Sequence, residues 1–248
     1  MKTFIFYSSL LFILLAACKK ESAFVNNPGS GDLNNRAVGA SANELLSSNN
    51  YESLKIEIQF MPGYEPDATA ITYLQNFLSG VVNKPSGISI ISKQIAASPS
   101  TILTIDQVRD IEKNNRTAFS NGKQLAVYIL YTNGEFTDPA TLGAAYRNSS
   151  VVIFGKKVGD NSGAIGQPSP TKLEATVLEH ELGHLLGLVD IGSNMQTSHK
   201  ANGNHCNNSN CLMYYAAETT DILGFLVTGN IPSLDTNCTA DLKANGGK

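Results

Sequence analysis

His180-Glu181-Leu182-Gly183-His184-Leu185-Leu186-Gly187-Leu188-Val189-Asp190 is the stretch whose reading decides the fold. On an α-helix, residues four apart share a face, so the imidazoles of His180 and His184 can reach a single metal ion. Glu181 is rotated by one position, placed to act as general base on a water at that metal without ligating it. Gly187 stands three residues after His184, where a chain leaving a helix abruptly needs a left-handed residue. Asp190 follows three residues later.

Working outward, the spacing predicts a long helix from Thr171 to about Gly187. Ser169-Pro170 and a capping box of Thr171 with Glu174 mark its start. Leu173, Val177, Leu182, Leu185 and Leu186 supply its packing surface. Upstream, Leu54, Ile56, Ile58 and Phe60 alternate with polar residues as a half-buried strand ending at Pro62-Gly63. Asp67 to Val82 has helical spacing, Ile88 to Ile95 reads as a strand, and Thr104 to Asn115 as a shorter helix capped by Thr104. Leu125 to Tyr131 is an apolar strand closed by Asn133-Gly134. Leu142 to Tyr146 and Val151 to Phe154 are two short strands, and residues 155–170 read as a Gly- and Pro-rich loop. This order implies an α/β fold, a mixed sheet with helices packed behind it.

The chain has 248 residues, enough for one catalytic-size domain with appendages. A net charge of -3 gives no reason to expect nucleic acid or an anionic membrane surface as partner. Lys2 and the apolar run Phe4 to Ala17 read as a signal peptide (residues 1–17) too short to span a membrane comfortably. Leu15-Ala16-Ala17-Cys18 resembles a bacterial lipobox, which implies lipidation of Cys18 and an exported, membrane-anchored lipoprotein. Residues 18–50, rich in Asn, Ser and Gly, are expected to be a flexible tether, and residues 51–248 the catalytic domain. In an exporting compartment a disulfide is expected, with Cys206–Cys211 preferred and Cys238 an alternative partner for either.

The extended motif resembles that of the metzincin metallopeptidases, H-E-x-x-H-x-x-G-x-x-H or -D followed by a methionine turn. Met213, in Cys211-Leu212-Met213-Tyr214-Tyr215, matches the Met-turn. The resemblance implies a zincin fold with an antiparallel edge strand, one catalytic Zn2+, His180 and His184 as ligands and Glu181 as base. Three candidates stand for the third ligand. Asp190 occupies the signature position. His205 precedes Cys206-x4-Cys211-x-Met213, a run similar to that of archaemetzincins, where the corresponding histidine ligates. His199 is the remaining histidine. Archaemetzincins carry further cysteines for a second zinc; this chain lacks that full set, so a structural zinc is not expected.

The same resemblance gives Tyr215 a role as switchable ligand or oxyanion stabiliser. It also implies a peptide substrate lying antiparallel to Leu142–Tyr146, with Tyr214, Tyr215 and residues 191–204 as pocket walls. The expected activity is zinc-dependent endopeptidase, acting as a monomer. The alternatives are a metzincin-fold lipoprotein that binds without cutting, and a zinc amidase on a non-peptide substrate.

Overall fold

The computed structural model describes residues 32–248. The expected signal peptide (residues 1–17) and Cys18 lie outside them. Strand Ser53–Phe60 runs parallel between Ile88–Gln94 and Gln124–Tyr131. Ser150–Ile153 continues the parallel set, and Gly143–Arg147 closes the five-stranded sheet as an antiparallel edge. The α/β reading with its antiparallel edge strand therefore holds.

One face of the sheet carries the larger core. Leu54, Ile56, Ile58 and Phe60 pack there with Leu74 and Leu78 of helix Ala68–Val81 and with Val177 and Leu178 of helix Pro170–Leu185. The other face buries Tyr128, Leu130 and Val152 against Val108 of helix Ile105–Asn115, which keeps the expected Thr104 cap. The first strand is more buried than its alternation suggests. Glu57 and Gln59 are also enclosed, because Thr117 N–H and Oγ1 and Gln59 Nε2 all donate to the Glu57 carboxylate. A buried carboxylate supplied with donors in this way is tolerated; one without them would not be.

Three local expectations are corrected. The tether does not extend to residue 50: helix Ala42–Leu46 buries Leu45 and Leu46 in the main core. Lys84 Nζ secures that segment by donating to the carbonyls of Glu44 and Tyr51 at 2.7 and 2.8 Å. Two leucines and one buried ammonium thus order a stretch whose composition is otherwise polar. Residues 155–160, expected as loop, form a short helix. The long helix is capped by Ser169, whose hydroxyl accepts from Lys172 N–H, and Glu174 is not part of a capping box. Its carboxylate accepts instead from Tyr131 O–H and Asp67 N–H, tying this helix to the sheet and to the start of helix Ala68–Val81. Among the described residues, no helix is long and apolar enough to cross a membrane.

Burial raises the Glu174 carboxyl to about 7 despite its two donors, and burial alone raises Glu179 to about 7. The folded chain therefore holds protons that the unfolded chain, with carboxyls near 4.5, has released. Stability from this source is complete below the unfolded value and declines as pH rises through the window from 4.5 to about 7. Urea unfolding across that window should show the decline, and Glu174→Gln should flatten it; an unchanged slope would contradict the assignment.

Candidate active site

Every residue of the long helix from Leu173 to Leu185 is buried, including His180, Glu181 and His184. The helix ends in a Schellman motif: Gly187 N–H bonds to His184 O at 3.0 Å, and Leu188 N–H to Gly183 O at 3.1 Å. Gly187 takes φ +78°, and a Cβ there would lie 2.6 Å from both Ala42 Cβ and Ser193 N, so glycine is required twice over. Val189 and Asp190 then continue at positive φ, 57° and 68°, swinging the chain away from the helix face.

That swing decides where the candidate ligands fall. Asp190 ends with its side chain 50% exposed, 3.7 Å from Lys200 Nζ, and is not part of the histidine cluster. His199 is buried elsewhere, its Nε2 3.5 Å from Cys238 Sγ and from Asp241 Oδ2. His205 returns to the helix on a two-residue strand, His205–Cys206, paired antiparallel with Lys200–Ala201. The rings of His180, His184 and His205 converge with centroids 4.8, 5.1 and 5.3 Å apart. The structure thus brings His205 to the pair and leaves Asp190 and His199 out.

The cluster is prepared for a cation. His180 Nδ1 donates to Leu212 O and His205 Nδ1 to Asn202 O, each at 2.7 Å, which leaves the Nε2 lone pairs directed inward. His180 Nε2 and His184 Nε2 stand 3.1 Å apart. Burial pushes His184 down to about 4, so it is a neutral donor at ordinary pH. Imidazole nitrogens facing one another in this way fit a bound divalent metal such as zinc. Met213 lies beneath them: a Cβ on Gly183 would come within 2.3 Å of its Sδ, so the Met-turn sits against the helix at the one residue without a side chain.

Glu181 is fully enclosed, and neither of its oxygens has a hydrogen-bond partner. Burial, reinforced by the Glu218 charge, holds its carboxyl well above the usual range; the Ala145 N–H nearby offsets this only weakly. It lines a cleft of about 420 Å³ with His184, His205, Ala144 and Ala145 of the edge strand, and Ile191 and Asn204 of the expected pocket loop. Ala37 and Val38 add a wall from the N-terminal segment. Tyr215 is not among the lining residues; its ring packs on Tyr214, with centroids 4.7 Å apart.

Glu218 is the residue that sequence reasoning missed. It joins the three histidines, with Oε1 3.2 Å from His205 Nε2 and Oε2 3.6 and 3.7 Å from His180 and His184 Nε2. Burial works to raise its carboxyl, but the three facing imidazoles outweigh that and hold it far below the usual range. No spacing signal in the sequence links it to the motif.

A second donor group is also present. Cys206, Cys211, Asp235 and Cys238 bring one ligand atom each within 4.8 Å of one another. All three cysteines are free thiols, so the expected Cys206–Cys211 disulfide is not formed; Cys211 Sγ lies 3.6 Å from Cys238 Sγ. The chain still lacks the further cysteines of archaemetzincins, but Asp235 stands in the fourth position beside the three thiols. Thiolates with one carboxylate form a donor set suited to zinc.

Fold and centre together define a metzincin-type metallopeptidase. The Reprolysin_5 model of metallo-peptidase family M12 matches residues 59–225, more than half of the chain, and the protein belongs to that family. Among solved structures, it is similar to an archaemetzincin from Methanopyrus kandleri: TM-score 0.53, 16% identity, 78% of this chain and 96% of that one. Metalloproteinase-II from Bacteroides fragilis matches at TM-score 0.44 and 13% identity over 81% of this chain and 55% of that one. No curated protein sequence matches.

Three substitutions probe this arrangement. His205→Ala should remove one equivalent of bound zinc by elemental analysis, while Asp190→Ala leaves the content unchanged; the reverse pattern would return the third position to Asp190. Gly183→Ala should force Met213 aside and cost about 1–3 kcal/mol in urea unfolding. An unaltered midpoint would mean that the methionine turn yields without strain.

Proposed function

We propose that the protein is a zinc-dependent endopeptidase in which His180, His184 and His205 hold the metal and Glu181 is the general base. The observation that carries this reading is the Glu181 carboxylate, buried and unpartnered beside three convergent imidazoles. A structural acid would be given donors, as Glu57 and Glu174 are. A base awaiting a water and a substrate would not.

Zinc, when bound, supplies Lewis acidity that acidifies a water and polarises a scissile carbonyl. Glu181 takes the water proton and passes it to the leaving amine, the enclosed setting having already raised its proton affinity. The edge strand Gly143–Arg147 has one side unpaired within the sheet, and Ala144 and Ala145 face the cleft. A peptide added antiparallel there gains main-chain hydrogen bonds that orient it across Glu181. The small alanine side chains leave room for that backbone to approach. Lipidation at Cys18 and export complete the proposal, resting on the sequence of residues 1–18.

The test is cleavage of a mixed peptide library by the zinc-loaded protein beside Glu181→Gln. Internal cleavage should fall about 10²–10⁴-fold in the variant, with zinc content retained. Cleavage that survives the substitution removes Glu181 from the reaction. Zinc binding with no peptide cut, in the presence of Glu218 variants as well, would favour a binding protein or a non-peptide amidase.

A further inference from the structure

We propose that Glu218 is the fourth ligand of the catalytic metal, so that the described conformation is a closed, resting one which a substrate opens by displacing that carboxylate. The proposal rests on the three-histidine reading above and deepens it.

The first support is distance. Donors around a tetrahedral zinc at about 2.0–2.1 Å stand about 3.3–3.4 Å apart. The separations here are 3.1 Å between His180 and His184 Nε2, 3.2 Å from Glu218 Oε1 to His205, and 3.6 and 3.7 Å from Oε2 to His180 and His184. The Glu218 carboxylate therefore stands within ligand-to-ligand range of all three imidazoles, where a fourth donor would be.

The second support is the character of the atoms. His180 and His205 have committed their Nδ1 protons to Leu212 O and Asn202 O. Their Nε2 atoms then present lone pairs to a carboxylate that also has only lone pairs to offer. Acceptors facing acceptors at these distances repel unless a proton or a metal cation lies among them, and a single metal ion would serve all three imidazoles at once.

The third support is how Glu218 is delivered. Its carbonyl accepts from Leu142 N–H at 2.8 Å, Thr220 N–H bonds to Ala140 O at 2.9 Å, and Thr219 bridges Thr141. The backbone is pinned to the segment leading into the edge strand, so the carboxylate is presented at a fixed place. Its side chain is 26% exposed, which leaves solvent into which it can rotate. Opening is thus a side-chain swing and not a loop movement. A catalytic zinc keeps one position open for water or substrate, while four protein ligands close it. Glu181 and Glu218 line the same cleft, so a Glu218 side chain that swings away leaves its place beside the base to a substrate.

The experiment loads cobalt(II) in place of zinc and compares wild type with Glu218→Gln and Glu218→Ala. Subtracting the His184→Ala spectrum isolates the histidine centre from the thiols. Both Glu218 variants should shift the d–d bands, and each should bind acetohydroxamate about tenfold or more tightly, since no carboxylate competes. Loss of the ligand should also weaken metal affinity about 10–100-fold, the range seen for lesser perturbations of such sites. The Gln variant keeps the side-chain volume, so a failure of Ala alone to fold leaves the comparison intact. Wild-type spectra and hydroxamate affinity in both variants, with His184-dependent cobalt still bound, would overturn Glu218 as ligand and leave the peptidase reading standing. Absence of any His184-dependent cobalt would overturn the three-histidine centre, and the proposal with it.

Discussion

The site depends on one contact between distant parts of the chain: His180 Nδ1 donating to the Leu212 carbonyl at 2.7 Å. A helix alone can align two imidazoles, but it cannot choose which ring nitrogen faces inward. The Leu212 carbonyl makes that choice by taking the Nδ1 proton. It can do so only because the next residue, Met213, fits against the helix at Gly183. The same turn bonds Cys206 N–H to Met213 O at 2.7 Å, which brings the preceding residue, His205, to the helix. Tautomer, floor and third imidazole therefore follow from a single packed turn.

Enclosing that turn has an electrostatic consequence. The long helix buries Glu174, Glu179 and Glu181 within eight residues, and each carboxyl is pushed above its ordinary range by loss of water. Glu174 recovers part of that cost through Tyr131 and Asp67, whereas the Glu181 oxygens have no hydrogen-bond partner and only the nearby Ala145 N–H eases theirs. Of the three, Glu181 is the one that faces the cleft, as expected where a group is held for chemistry and not for stability. Glu218 is the opposite case, a carboxylate whose neighbours more than offset its burial.

The helix, its histidines and the edge strand were legible because each rests on local periodicity, 3.6 residues per turn or two per strand repeat. What lay beyond a local repeat was not. Asp190 holds the signature spacing, yet successive left-handed residues at 189 and 190 turn it outward, and nothing in the residue types announces that turn. Glu218 lies 34 residues beyond His184 and reaches the histidines only through pairing of residues 218–220 with 140–142. Such long-range pairing leaves no mark on the sequence between. The tether was overextended for a related reason: Leu45 and Leu46 are too few to register as a hydrophobic pattern, although both are fully buried.

Adjacent residues on a strand point to opposite sides, and this alternation explains how two donor groups share one turn without merging. His205 faces His180 and His184; Cys206, the next residue, faces Asp235, with Sγ and Oδ2 3.3 Å apart. Cys211 closes the far side, and Leu212 N–H bonds to Ser233 O at 2.9 Å, fixing the turn against the segment that carries Asp235. Asp235 then caps helix Thr236–Ala244 by accepting from Cys238 N–H at 2.9 Å. The carbonyl of Leu212 serves the histidines while its N–H serves the thiol side. One residue is thus held from both directions, its two flanking peptide groups linking the thiol side to His180.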